Sequence, residues 1–252
     1  MPRKFALIAI LFFLLGGCAT AAPRSNADSK GRKAAEINVA LAQGYLKQDK
    51  LEIALEKLER ALQQDPNYAD AHTVIAVLYE RINRPLLAEE HYRRAAQLQP
   101  KLGAVNNNYG TFLCRYGRLD EAVKYFDRAL EDPFYQTRDV ALTNAGTCRM
   151  QANRADEAEK DFRAALETNA NNAEALYQLA RLLFGKSEFL RARAFLQRFD
   201  SLGQANPDAL LLGRNIEQKL GNAREAGEYA RRLRTEFPDS EQTRQLESST
   251  PS

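Results

Sequence analysis

Residues 35–68 (AEINVALAQGYLKQDKLEIALEKLERALQQDPNY) and residues 69–102 (ADAHTVIAVLYERINRPLLAEEHYRRAAQLQPKL) are two copies of one pattern. In each copy a small residue is followed twelve positions later by an alanine, and a bulky apolar residue stands four positions beyond it. A proline lies near the end of each copy. The alanine recurs along the chain at steps of 34 or 36 residues, as Ala54, Ala88, Ala122, Ala158, Ala192 and Ala226.

Each recurring feature has a physical reason. Two antiparallel helices can approach closely only where the residues at their crossing are small. Apolar residues three and four positions apart form one stripe on a helix. Proline cannot continue a helix, so it ends the second helix of each copy. The sequence therefore predicts a series of helical hairpins.

This pattern resembles the tetratricopeptide repeat (TPR), which implies an all-α fold, a right-handed superhelix (α-solenoid) of six repeats. Arg214 at the small position and Ala230 at the bulky position make the last unit atypical, which predicts either a capping unit or irregular packing. Residues 241–252 are expected to form a tail. The predicted units are 35–68, 69–102, 103–136, 139–172, 173–206 and 207–240, with Thr137-Arg138 as a two-residue insertion.

The N-terminus carries a short basic segment and an apolar stretch over residues 5–15, followed by Leu15-Gly16-Gly17-Cys18. The stretch is too short to span a bilayer of about 30 Å, which favours a signal peptide over residues 1–17. The four-residue run resembles the lipobox of bacterial lipoproteins. That resemblance implies a lipidated Cys18, and Ala19 in place of aspartate implies an outer-membrane location with the repeats in the periplasm. An ordinary signal peptide with an incidental cysteine is the alternative.

Residues 18–34 are small, polar and charged, and predict a flexible tether between the lipid and the fold. Without Arg3 and Lys4 of the signal peptide, the chain has 34 basic and 33 acidic residues. A nucleic-acid-binding protein normally shows a clustered basic excess, so that class of partner is not expected.

An enzymatic site finds little support in the sequence. The chain has only two histidines, His72 and His91, both on the helical framework of the second unit. It has no HExxH, CxxC, phosphate-binding glycine loop or calcium loop. We therefore expect no catalytic residues, metal, cofactor or small-molecule substrate.

Cys114 and Cys148 fall on the first helices of adjacent units in the repeat frame. The periplasm is oxidising, so two neighbouring thiols there tend to pair. A disulfide is the favoured prediction, with two separate buried cysteines as the alternative. A zinc site is not expected because no further ligands lie nearby in the frame.

TPR stacks present a concave groove lined by the first helix of each unit. In the family frame the groove-facing positions are mostly uncharged here, which suits an apolar or hydrogen-bonding peptide. The alternative for Val39 and Leu46 is that they pack against the tether or stay half-exposed. The predicted partner-binding residues are Val39, Gln43, Leu46, Thr73, Val77, Asn107 and Thr111.

The runs Asn106-Asn107-Asn108-Tyr109-Gly110-Thr111-Phe112-Leu113-Cys114 and Asn144-Ala145-Gly146-Thr147-Cys148, together with the lipobox and six repeats, resemble the PilF/PilW type IV pilus biogenesis lipoproteins. This resemblance implies a pilotin, which binds the pilus secretin subunit and promotes its outer-membrane localisation and multimer assembly. One alternative is a TPR lipoprotein adaptor for peptidoglycan enzymes or for outer-membrane barrel assembly. An enzyme with an unrecognised site is the other.

Overall fold

The computed structural model describes residues 26–248, so the predicted signal peptide and Cys18 lie outside the described residues. The described chain forms thirteen α-helices and no strand. None of these thirteen helices combines the length and the apolar character needed to cross a membrane. The helices are α1 (Asn26–Lys47), α2 (Leu51–Gln64), α3 (Ala69–Arg81), α4 (Pro85–Leu98), α5 (Gly103–Arg115), α6 (Leu119–Glu131), α7 (Arg138–Gln151), α8 (Ala155–Thr168), α9 (Ala173–Gly185), α10 (Phe189–Ser201), α11 (Pro207–Lys219), α12 (Ala223–Glu236) and α13 (Glu241–Ser248).

Consecutive helices pair into six hairpins, and small residues lie where the two helices of a hairpin cross. Ala88 and Ala122 are fully buried. A Cβ added to Gly110 would lie 2.9 Å from the Phe126 ring, and one added to Gly146 would lie 2.7 Å from the Phe162 ring. These crossings therefore admit no larger side chain without displacement. The all-α solenoid predicted from the repeat is confirmed.

The hairpin turns share a left-handed backbone conformation. It occurs at Asp49, Asn83 and Asn153 and at Gly117 and Gly221, and the sixth turn adopts it at Ser187. Glycine adopts positive φ without a steric penalty, and Asn and Asp tolerate it better than other residues. The recurrence of these residue types in the turns therefore follows from backbone sterics.

Adjacent units are also tied by ion pairs near the hairpin turns. Arg81 pairs with Asp49 of the preceding unit at 2.6 Å, and Arg154 pairs with Asp120 at the same distance. Exposed pairs of this kind contribute about 0–1 kcal/mol each. They therefore add little to the stability of the fold, which rests on the buried contacts between helices.

Glu159 on α8 forms ion pairs with three basic side chains. Its carboxylate lies 2.8 Å from Arg163 Nη2, 2.8 Å from Lys186 Nζ and 3.0 Å from Arg191 Nη2. The hydrogen bond from Lys186, followed by that from Arg163, lowers the pKa of Glu159 from 4.5 to about 2. Its side chain is 15 % exposed, but Lys186 and Arg191 are 27 % and 49 % exposed, so water partly screens this group of charges.

We expect Glu159→Gln to lower the free energy of unfolding at pH 7 by about 1–3 kcal/mol, because a pKa shift is a difference in stability between the two protonation states. The folded pKa lies below the unfolded one, so the contribution is complete above pH 4.5 and disappears as the pH falls towards 2. Chemical denaturation over pH 2–7 measures both effects. Glu167→Gln, an exposed glutamate on the same helix, serves as control. A wild-type-to-variant difference that stays constant on acidification would contradict this prediction.

The prediction of a flexible tether is wrong for residues 26–34, which form the beginning of α1. Arg32 Nε lies 2.7 Å from Asp65 Oδ2, and its guanidinium carbon lies 4.5 Å from the centre of the Tyr68 ring. Gly31 packs so closely on the end of α2 that a Cβ there would lie 2.7 Å from the Gln64 carbonyl oxygen. These contacts extend the first helix although its residues are polar.

The predicted tail is likewise wrong for residues 241–248, which form α13. Thr243 and Leu246 are buried, and the Thr243 hydroxyl donates to the Phe237 carbonyl oxygen at 2.7 Å. Leu246 packs in one apolar cluster with Leu210 and Leu233 of the last hairpin. The sixth unit is therefore capped by an additional helix, which agrees with its atypical residues.

Candidate functional site

The first helices of units one to three, α1, α3 and α5, line a groove of about 520 Å³. Five of the seven predicted partner-binding residues lie along it. These five are Val39, Gln43, Leu46, Thr73 and Val77. The structure therefore brings most of the predicted set together on one surface, while their role in binding a partner stays a prediction.

These residues differ in how far they reach into the groove. Val77 is 38 % exposed, Gln43 is exposed and Leu46 is half-buried. Val39 is only 4 % exposed and belongs to the core of the first unit with Ala35 and Ala42. Val39 is therefore corrected to a core residue whose edge reaches the groove, and a charge placed there would report on folding rather than on binding.

Asn107 and Thr111 do not line this groove. Asn107 is buried, and its Oδ1 accepts a hydrogen bond from Asn144 Nδ2 at 3.0 Å. Asn144 also donates to Thr111 Oγ1 at 3.2 Å, which ties α5 to α7. The prediction that Asn107 binds a partner is therefore wrong, because its side chain is buried in the contact between α5 and α7. Thr111 is half-buried and lines a neighbouring hollow with Val77 and Arg115.

Sequence reasoning missed Ala40, Val74 and Asn108, which also line the groove. Each is the sixth residue of its predicted unit. Because this position repeats with the unit, the alignment of the repeats contained the signal that could have found all three.

The groove has an apolar floor and two acidic groups at its rim. Glu36 and Asp70 line it, and neither forms an ion pair with another residue in the described part of the chain. Burial, followed by the charge of Asp70, raises the pKa of the neighbouring Tyr68 to about 12. The phenol therefore stays protonated and donates to Asp70. The groove can bury apolar side chains and attract positive charge.

The two histidines hold α3 to α4. His72 Nε2 lies 3.0 Å from the Pro66 carbonyl oxygen, so this nitrogen carries the proton and His72 Nδ1 is left as an acceptor. His91 Nδ1 lies 2.9 Å from that acceptor and donates to it. Burial lowers the pKa of both rings, which keeps them neutral. Residues 26–248 contain no group of three or more His, Cys, Asp or Glu side chains placed to hold a metal ion.

Cys114 on α5 and Cys148 on α7 are joined in the structure, with Cα atoms 5.7 Å apart. This separation falls within the range of about 4.4–6.8 Å that disulfides require. Both side chains are shielded from water. The bridge in the mature protein stays a prediction that mass measurement tests.

The mature protein, analysed without reductant, is expected to be about two hydrogen masses lighter than the form with free thiols, because one disulfide removes two hydrogens. Reduction in denaturant should restore the mass and allow both cysteines to be alkylated. In the loop-entropy model the bridge stabilises the fold by about 3–4 kcal/mol, so reduction should also lower the melting temperature. Two thiols that are alkylated before reduction would contradict the pairing.

The sequence is similar to a known repeat family and to a protein of known name. The tetratricopeptide repeat family matches residues 39–102 and 143–209. The type IV pilus assembly protein PilF of Pseudomonas aeruginosa is 31 % identical over 242 residues, which cover 95 % of this chain and 96 % of PilF.

Two solved structures resemble the whole superhelix. The structure of Pseudomonas aeruginosa PilF has a TM-score of 0.80 and 29 % identity, and covers 88 % of this chain and 100 % of that one. The structure of PilW, a widely conserved type IV pilus biogenesis factor, has a TM-score of 0.79 and 33 % identity, and covers 84 % and 97 % of the two chains. The similarity thus extends over nearly the full length of each relative.

Proposed function

This chain belongs to the PilF/PilW family of tetratricopeptide-repeat proteins, and from that premise we propose that it is a pilotin of type IV pilus biogenesis. In this role it binds the pilus secretin subunit and promotes its outer-membrane localisation and multimer assembly. The observation that carries the proposal is the apolar groove of units one to three, in a chain whose similarity to PilF covers 95 % of its length.

The groove supplies a physical basis for binding. Val77 and Leu102 are exposed on its surface, and burying such side chains yields about 25 cal/mol per Å² before the costs of ordering are subtracted. The carboxylates of Glu36 and Asp70 at the rim favour a segment that also carries positive charge. A partner segment that is apolar with a basic residue fits this surface.

The proposed anchor supplies the location. Lipidated Cys18 holds the protein at the outer membrane, and only residues 19–25 separate it from the first described helix. The eight residue steps from Cys18 to Asn26 span at most about 29 Å when the chain is fully extended. The first unit is thereby kept close to the membrane in which the secretin inserts, and a bound segment stays at high local concentration there.

A charge placed in the groove tests the proposal. In the tagged full-length lipoprotein, Val77→Glu is expected to lower the amount of secretin recovered by at least tenfold and to remove heat-stable secretin multimers. The melting temperature should stay unchanged, because Val77 is already 38 % exposed.

Two variants serve as controls. Ile53→Glu alters a residue with similar exposure, 39 %, on the second helix of unit one, and should bind secretin normally. Leu211→Glu places the charge late in the stack, and is also expected to have little effect. Leu211 is half-buried against the cluster of Leu210 and Leu233, so the melting temperature of this variant is measured as well. If Leu211→Glu abolishes recovery at an unchanged melting temperature while Val77→Glu is silent, the site lies towards units five and six. Absence of secretin from the wild-type eluate would refute the pilotin function.

A further inference from the structure

We infer that the partner surface continues beyond the groove to an apolar patch centred on Phe134, and that it takes an apolar segment carrying an acidic side chain. The Phe134 patch consists of Pro100, Lys101, Leu102, Phe134 and Tyr135, around a hollow of about 790 Å³. This inference rests on the proposed protein-binding function and names a second part of the same binding surface.

The exposure of Phe134 is the first observation. This side chain is 83 % exposed, and the adjacent Leu102 is 36 % exposed. Scattered apolar residues on a surface are ordinary, whereas apolar side chains gathered around a hollow mark an interaction site. Phe134 also provides the large rigid aromatic group that carries much of the energy in protein interfaces.

The repeat frame indicates that the fold does not require an aromatic side chain here. Phe134 is residue 32 of the third unit, and the same position is Pro66, Pro100 and Pro238 in three other units. Those prolines end a helix, which is a structural role. Phe134 instead lies in the one connection lengthened by the insertion of Thr137-Arg138.

The loop that carries Phe134 is held in place. The Phe134 N–H donates to Asp132 Oδ1 at 3.0 Å, and the Gly103 N–H donates to Asp132 Oδ2 at 2.8 Å. Arg138 donates to the Leu130 carbonyl oxygen at 2.8 Å. A Cβ on Gly103 would lie 2.5 Å from the Tyr135 ring, so the loop packs directly on α5. Because the loop is already ordered, it loses little conformational entropy when a partner binds.

Continuity and charge identify the occupant. Leu102 and Ala104 line both the groove and the hollow beside Phe134, so one apolar surface joins the two. Two charged side chains line the hollow, Lys101 and Asp132. The Asp132 carboxylate already accepts two backbone N–H groups, whereas Lys101 has no ion-pair partner among residues 26–248 and is left to attract a negative charge. The segment bound here is therefore apolar and acidic, and continues the segment that occupies the groove.

Co-purification of the secretin subunit with the tagged full-length lipoprotein tests the inference. Phe134→Ala is expected to lower secretin recovery at least tenfold with an unchanged melting temperature. Leu86→Ala is the matched control, since Leu86 on α4 is also 83 % exposed, and it should leave recovery unchanged. Lys101→Glu should reduce recovery more than Lys101→Gln, because only the former repels an acidic residue.

The outcomes separate this inference from the proposed function. Wild-type recovery with Phe134→Ala, while Val77→Glu loses secretin, overturns the inference and leaves the groove assignment standing. If Phe134→Ala instead converts a wild-type dimer to a monomer in light scattering and leaves recovery unchanged, a second copy occupies the patch and the inference is equally overturned. Absence of secretin from the wild-type eluate overturns both proposals.

Discussion

Replacing Cys18 with serine is expected to release the protein from the outer membrane. In the proposed anchoring, the thiol of Cys18 carries acyl chains, and each buried CH₂ group contributes about 0.8 kcal/mol to membrane binding. Several chains on one residue make the attachment stable, whereas a serine hydroxyl cannot replace the thiol in the lipidation. Cys18→Ser should therefore remain uncleaved or be free in the periplasm, and secretin should remain outside the outer membrane.

Membrane fractionation together with radiolabelled palmitate measures this effect. Ala19→Asp is the companion variant, because it keeps the lipidated cysteine and should divert the protein to the inner membrane. Retention of Cys18→Ser in the outer membrane without palmitate label would rule out the lipid anchor. Because the substitution lies before the described helices, the melting temperature of the folded part should not change.

Ala122→Leu is expected to lower the stability of the fold by overpacking a helix crossing. Ala122 is fully buried on α6, and a Cβ on the facing Gly110 would already lie 3.2 Å from the Ala122 carbonyl oxygen. Leucine adds carbon atoms at a crossing without free volume, and overpacking of this kind costs about 1–3 kcal/mol or more. The melting temperature should fall by roughly 2–12 °C, with helical content retained below the transition.

Circular dichroism melting of the variant and of Ala194→Leu measures the effect. Ala194 is exposed on α10, so the same substitution there should change stability by no more than about 0.5 kcal/mol. Equal melting temperatures for wild type and Ala122→Leu would mean that the helices do not cross at this alanine.

The fold could be predicted because its main requirement is steric and recurs. Every hairpin needs small residues at its crossing, so Ala54, Ala88 and Ala122 appear at a fixed interval. The same recurrence found Thr73 and Val77, because groove positions repeat with the unit. A structural requirement that recurs in every unit produces a sequence repeat, and a repeat can be recognised without a structure.

The remaining features depend on contacts that occur once. The first residues of α1 are polar, and contacts of Arg32 with Asp65 and Tyr68 accompany its extension. The fifth position lines the groove at Val39 and Thr73, but Asn107 at the same position is instead bonded to Asn144 on α7, a contact that no other unit repeats. Phe134 replaces a proline of three other units, but the sequence does not show that its ring is exposed beside a hollow in the folded protein.

The burial of Leu246 against Leu210 and Leu233 has a consequence for how separate molecules meet. A solenoid is built by adding like units, so an uncovered last hairpin can accept the first unit of another molecule. Repeated head-to-tail addition of this kind does not close, and it produces fibres. Because α13 covers the apolar surface of the last hairpin, that surface is not available to another molecule. Molecules held at high local concentration are then expected to stay separate rather than to polymerise through this end.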